Sequence, residues 1–214
     1  QHLDFEHLNK LWFSVYSSAA LIELMRRQRD AVGLSIFDDN IKLHTPAKLS
    51  RVHQNMIYNE LDKLMLPYDK TEKHQTDTVQ CLHQIAEMTH KRSLVIIFSD
   101  MLDNLDSYQD MFAALKHLRY NKHEVILFHV HDGKHEQKLD YENRPHRFVD
   151  LETGEVLKLN PVEVKEQYEK IMTDKKEELL RHCYQYQIDY VEADINKAYD
   201  KILATYLIKR NKIV

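Results

Sequence analysis

The chain has 214 residues, of which 43% are hydrophobic and 30% are charged, as in a globular protein with a large core. Its formal net charge of −4 provides no basic footprint for nucleic acid, and no apolar run reaches the roughly 20 residues of a membrane-spanning helix. The three glycines do not cluster, which argues against a Walker loop or a dinucleotide-binding fingerprint. Cys81 and Cys183 lie in helix-like segments and are too few for a disulfide framework, so we expect free thiols and a cytoplasmic location.

The apolar pattern predicts helices and strands that alternate along the chain. Helices are predicted over residues 8–27, from Ser50, from Thr76, over 108–120, from Pro161 to about 185, and over 196–210. Strands are predicted over residues 32–37, 41–45, 94–98, 125–130 and 188–191, with a hairpin over 147–152 and 155–159. This alternation predicts an α/β fold with a mostly parallel sheet, helices on both faces and an antiparallel edge strand.

The most informative stretch is Leu94–Phe98, five consecutive apolar residues that Ser99 and Asp100 follow directly. We expect a strand buried on both faces, ending at the carboxyl edge of the sheet, where open α/β sheets bind ligands. Thr76 and Asp77 begin the preceding helix and should face the same crevice, and such oxygen ligands suit Mg²⁺ or Mn²⁺. From the residues alone, however, capping of a helix and a turn explains Thr76 and Asp100 more simply.

Two other groups of residues have simple structural explanations. His129 and His131 lie on one face at a strand end, but no third ligand at zinc spacing accompanies them. We therefore expect solvated or hydrogen-bonded histidines there. Cys81, with His83 and His90 nearby in sequence, lies beside an apolar helix face and lacks an oxyanion-hole signal, so we expect a buried, inert thiol.

Successive blocks of the chain resemble, in order, those of the domain-of-unknown-function 58 family. These blocks are Asp30–Leu34, Gln75–Thr78, Leu82–Glu87, Leu94–Asp100, His123–His129, Arg147–Glu155 and Ile188–Val191. The resemblance extends over about residues 10–210 and implies a single von Willebrand factor A-like domain over residues 1–214. Such a domain is a three-layer α/β sandwich with a Rossmann-like sheet.

The resemblance also implies a function, a non-enzymatic protein-interaction module that works with a MoxR-type AAA+ ATPase. The fold can carry a metal-ion-dependent adhesion site, in which Thr76 and Asp100 match two Mg²⁺ ligands. Asp77 and Ser99 would orient those ligands, and an acidic residue of the partner would complete the coordination. The Asp-x-Ser-x-Ser part of the site has no match in Gln1–Asn9, so the site is incomplete in this chain.

A further implication of the resemblance is that the chain lacks the first, central strand of the fold. The strands over residues 32–37 and 94–98 would then have unpaired edges, which is costly and favours aggregation. Because the chain starts at Gln1 without an initiator Met or a signal-peptide pattern, we expect an N-terminal truncation and an upstream segment that supplies this strand. The alternatives are another chain or segment in the gap, or direct pairing of the two strands.

Two other functions stay open at this stage. A metal-dependent phosphohydrolase could use Asp100 and Asp103, although the missing glycines and the lack of an evident general base count against it. A scaffold whose metal site has decayed would bind its partners by surface shape alone. We expect the protein not to be an enzyme.

Overall fold

The computed structural model describes residues 9–38, 40–66, 78–100, 108–149 and 156–204, and it is a mixed α/β protein, as predicted. Its elements are α1 (Lys10–Gln28), β1 (Ser35–Phe37), β2 (Ile41–His44), α2 (Arg51–Leu64), α3 (Thr78–Met88), β3 (Leu94–Ser99), α4 (Tyr108–Tyr120), β4 (Glu124–His131), a π-helical turn (Gly133–Gln137), β5 (His146–Val149), β6 (Val156–Leu159), α5 (Pro161–Gln185) and β7 (Asp189–Asp194). A last helix, α6, covers residues 199–204 of the described chain.

A parallel sheet of three strands lies at the centre of the molecule, with β4 between β3 and β7. In its register, Ile97 pairs with Leu127, and Leu127 pairs with Tyr190 on the other side. Two antiparallel pairs, β1–β2 and β5–β6, accompany this sheet. The β5–β6 pair confirms the predicted hairpin, although the turn of the hairpin lies outside the described residues. The β1–β2 pair is antiparallel, but among the described residues it forms a sheet of its own rather than the predicted edge of the parallel sheet.

Helices cover both faces of the parallel sheet because the side chains of β4 alternate between two cores. Val125 and Leu127 pack with Leu118 of α4 and Leu179 of α5. Ile126, Phe128 and Val130 face the other way and pack with Phe13 and Leu21 of α1 and with Leu203 of α6. A third cluster joins α1 to α2 around Ile57.

Side-chain caps fix where the helices begin. The Asn9 side chain accepts a hydrogen bond from the Trp12 amide at 2.8 Å, which starts α1. Ser50 caps α2 as predicted, through the His53 amide. Asn160 caps α5, and Pro161 occupies its first turn, where the missing N–H costs nothing.

The predicted strand over residues 32–37 is shorter than expected. Val32 forms only an isolated antiparallel bridge with Lys48, and β1 starts at Ser35. A close chain crossing explains the break, because a Cβ on Gly33 would lie 2.5 Å from the Thr45 carbonyl oxygen. Glycine is therefore required at this position.

Both faces of β3 pack against a core, as predicted, but the strand is less completely buried than expected. Only Ile97 of its six residues is fully buried, whereas residues 125–131 of β4 are all buried. The reason is position: among the described residues, β4 has a strand neighbour on each side, whereas β3 pairs with β4 alone and β1 pairs with β2 alone. Direct pairing of β1 with β3 thus does not occur in the described part of the chain. In the same part, no helix is both long and apolar enough to cross a membrane.

Candidate functional site

The carboxyl edge of the parallel sheet gathers polar residues from all three strands. Asp100 directly follows β3, His131 ends β4, and Asp194 ends β7. The register places Ser99 opposite His129, and His131 opposite Asp194. The predicted site at the end of β3 is therefore part of a wider polar edge. The residues that end β4 and β7 also belong to this edge, and the motif at the end of β3 did not predict them.

Asp100 lies at this edge with 53% of its side chain exposed, and its carboxylate is paired with an ammonium group. Lys10 Nζ, from the first residue of α1, donates to Asp100 Oδ2 at 3.3 Å. The same Nζ lies 2.5 Å from Glu136 Oε1 in the π-helical turn. Lys10 thus joins the beginning of α1 to the ends of β3 and β4, a role that nothing in its sequence context signalled.

The other predicted site residues are placed only in part. Ser99 is half-buried in the last position of β3. Thr76 and Asp77 lie outside the described residues, as does Asp103, the second carboxylate of the phosphohydrolase hypothesis. Among the described residues, no group of three His, Cys, Asp or Glu side chains is arranged to hold a metal ion.

A cavity of about 190 Å³ opens at the carboxyl edge beside Asp100. Its walls come from the ends of β3 and β4, the π-helical turn and α5, and they include Asp100, His129, His131, Glu136, Tyr168 and Lys175. The Tyr168 hydroxyl donates to the Glu136 carbonyl at 2.6 Å, which ties α5 to the π-helical turn. The cavity is small, its lining mixes polar and apolar groups, and it carries both signs of charge.

His129 and His131 are buried in the wall of this cavity, with 1% and 3% of their surface exposed. They are hydrogen-bonded, as the sequence analysis allowed. His129 Nδ1 lies 2.8 Å from the Tyr190 hydroxyl, and the two imidazole rings lie 5.0 Å apart. Burial, together with the neighbouring His131, lowers the pKa of His129 to about 4. His129 is therefore neutral at pH 7.

The tautomer of His131 follows from its hydrogen bond. Because a carbonyl oxygen only accepts, His131 Nδ1 carries the proton that it donates to the His129 carbonyl at 3.3 Å. Burial lowers the pKa of His131, while the carboxylate of Glu192, 3.6 Å from Nε2, opposes that change. Glu192 is held by Lys176 at 2.8 Å. The pair of imidazoles is thus an internal polar wall, tied to β7 and α5.

A second network holds the π-helical turn against β7. Asp132 accepts hydrogen bonds from the His135 imidazole and from Asn196 Nδ2, both at 2.7 Å. Asp194 Oδ1 accepts from the Gly133 amide at 3.1 Å, and a Cβ on Gly133 would lie 2.6 Å from the other oxygen of Asp194. The sequence analysis did not predict this network. The available signal was Asp132-Gly133 directly after β4 and Asp194-Ile195-Asn196 at the end of β7.

Both cysteines are free and buried, which agrees with the prediction of free thiols and with the predicted burial of Cys81. Burial raises the pKa of Cys183 to about 12, so its thiol stays protonated. The Cys81 thiol donates to the Asp38 carbonyl at 3.7 Å. His83 is hydrogen-bonded to His117 rather than to a sulfur atom, with the two Nδ1 atoms 3.0 Å apart.

Comparison with known proteins gives one match. The model of a family described as a protein of unknown function, DUF58, matches residues 5–178, which is most of the chain. No curated protein and no solved structure matches the chain.

Proposed function

The chain belongs to the DUF58 family, and from this premise we propose that it is a non-enzymatic protein-interaction module of the von Willebrand factor A type. It binds its partner at the carboxyl edge of the β3–β4–β7 sheet. One observation supports this choice of surface: the beginning of α1, the end of β3, the π-helical turn and α5 all bring polar side chains to that edge. Open α/β sheets use this edge for ligands.

The proposed partner is a MoxR-type AAA+ ATPase of the cytoplasm. The reason is the family resemblance, since proteins of this kind are often encoded beside such ATPases. Asp100 would contribute to the contact directly, because its carboxylate is half-exposed at the polar edge. The buried His129 and His131 would support the surface from beneath without contacting the partner.

A Mg²⁺ ion with Thr76 and Asp100 as ligands is one form of this proposal. In it, an acidic side chain of the partner completes the coordination sphere. The described residues do not fit the ion by themselves, because the Asp100 carboxylate is already paired with the Lys10 ammonium. That ion pair favours a second form, in which the domain binds its partner without metal.

The test is a binding titration of the purified domain with a purified MoxR-type ATPase encoded in the same genome. Biolayer interferometry would compare the wild type with Asp100→Ala at the carboxyl edge. Glu124→Ala is the matched control, because it removes a carboxylate from the first residue of β4, at the opposite edge of the same sheet. We expect Asp100→Ala to weaken binding by about tenfold, typical of one interfacial charged group, and Glu124→Ala to leave binding unchanged.

Repeating the titration with Mg²⁺ or with EDTA separates the two forms of the proposal. Binding that needs Mg²⁺ and is lost in Asp100→Ala supports the metal-dependent form, and binding that ignores EDTA supports the other. Equal affinity for the wild type and Asp100→Ala would remove the carboxyl edge from the proposal. Magnesium-dependent phosphoester hydrolysis that Asp100→Asn abolishes would instead establish the phosphohydrolase alternative.

A further inference from the structure

We propose that Lys10 is a built-in cation that keeps divalent metal ions away from Asp100. In this account, the Lys10 ammonium occupies the position that a metal ion bound to Asp100 would need, and Lys10 thereby determines the cation selectivity of the carboxyl edge. The inference rests on the proposed function, because it concerns the surface proposed there for partner binding.

Two carboxylates from different elements converge on the Lys10 ammonium. Asp100 Oδ2, at the end of β3, lies 3.3 Å from Nζ, and Glu136 Oε1, in the π-helical turn, lies 2.5 Å from it. Only 26% of the Lys10 side chain is exposed, so solvent screens these pairs less than it screens ion pairs at the open surface. The position of Nζ is therefore one at which this structure gathers negative charge around a cation.

Each of these groups is held in place by the backbone around it. Glu136 Oε2 accepts a hydrogen bond from the Asp132 amide at 2.9 Å, which fixes the carboxylate from behind. Lys10 is the first residue of α1, and the Asn9 cap fixes the start of that helix. Asp100 directly follows the last residue of β3. The Glu136 carboxylate is therefore fixed directly, and Lys10 and Asp100 extend from the ends of regular elements.

Removing the ammonium would leave Asp100 and Glu136 without the cation that joins them, although Lys175 also lines the cavity. Hard divalent cations such as Mg²⁺ and Mn²⁺ bind carboxylate oxygens, and two carboxylates balance their charge. With Lys10 present, a metal ion at Asp100 would have to displace the ammonium and then stay near a like charge. Lys10 thus selects against a metal ion at Asp100.

The experiment is a Mn²⁺ titration in which electron paramagnetic resonance measures the free ion. We expect Lys10→Met and Lys10→Gln to bind one Mn²⁺ about tenfold more tightly than the wild type, because a unit positive charge is removed beside two carboxylates. Lys10→Arg keeps the charge and should behave as the wild type does. Adding Glu136→Gln to Lys10→Met should abolish the gain.

Equal Mn²⁺ affinity of the wild type and the two neutral variants would overturn the inference. So would a gain that persists in the Lys10→Met, Glu136→Gln double variant. Thermal unfolding checks that each variant is folded, and Lys10→Gln provides the test if Lys10→Met is not. The titration needs no partner, so a failure of this inference can be distinguished from a failure of the proposed function. A gain in Mn²⁺ affinity together with unchanged partner binding by Asp100→Ala would contradict only the proposed function. Unchanged Mn²⁺ affinity together with weakened partner binding by Asp100→Ala would contradict only this inference.

Discussion

Replacing Asp132 by alanine should destabilise the protein, because this carboxylate organises the turn that carries Glu136. Its hydrogen-bond donors are the amides of Lys134 and His135, the His135 imidazole and the Asn196 side chain. Burial alone would raise the pKa of Asp132, but the hydrogen bonds from His135 and Asn196 outweigh it, and the pKa falls from 3.8 to about 2. The folded protein therefore favours the ionised carboxylate.

The size and pH dependence of this effect follow from that pKa. A lowering of nearly two units corresponds to about 2 kcal/mol of folding free energy at pH 7. A group whose pKa is lowered on folding contributes this stability above its unfolded pKa and loses it as the pH falls through its folded pKa. The contribution of Asp132 to the free energy of folding should thus be complete above about pH 5. It should fall to roughly half near pH 3 and be nearly absent at pH 2.

Urea unfolding followed by circular dichroism at pH 7, pH 3 and pH 2 would measure the difference between the wild type and Asp132→Ala. Asp174→Ala is the control, since Asp174 is an exposed residue of α5 whose replacement should change stability by less than about 0.5 kcal/mol. A wild-type advantage over Asp132→Ala that stays constant from pH 7 to pH 2 would refute the electrostatic argument, and the absence of any advantage at pH 7 would refute the structural one.

Three further predictions concern the sheet and its surroundings. Gly133→Ala should lower the free energy of unfolding by about 1–3 kcal/mol, because the new Cβ would lie 2.6 Å from an Asp194 oxygen; an unchanged urea midpoint would contradict the close approach. Cys183 should not react with a thiol reagent at pH 8 until the protein unfolds, since burial raises its pKa to about 12, and prompt labelling of the folded chain would contradict its burial. Backbone amides of β3 should exchange with deuterium at least about tenfold faster than those of β4, because β3 has one strand neighbour in the described chain and β4 has two. Equal protection of the two strands, measured by nuclear magnetic resonance, would show that another segment pairs with β3.

Local sequence signals predicted the elements of this fold well. Ser50 and Pro161 mark helix starts through backbone chemistry that involves only a few neighbouring residues, and both helices begin there. The apolar runs of β3 and β4 look alike in sequence, and both form strands. The order of the strands in the sheet cannot be predicted from these local sequences, because it depends on contacts between distant segments. For that reason Leu94–Phe98 was predicted to be fully buried, although β3 has a single strand neighbour in the described part of the chain and is only partly buried.

The candidate site shows the same division between local and distant information. Asp100 was predicted at the carboxyl edge because its strand ends there, and the edge indeed holds it. Lys10 and Glu136 are ordinary charged residues in sequence, far from Asp100, and only the packing of α1 and the π-helical turn brings them together. The burial of His129 and His131 likewise comes from α5 and β7, which the strand sequence does not contain.

The most direct test of a partner-binding carboxyl edge is nuclear magnetic resonance mapping of the ¹⁵N-labelled domain during titration with the MoxR-type ATPase. The account predicts that the amide signals of Asp100, His131 and Asp132 shift or broaden at low ratios of partner, while Glu124 and the other amides at the opposite edge of the sheet do not change. Perturbations centred on the opposite edge, or a spectrum that the partner leaves unchanged, would contradict it.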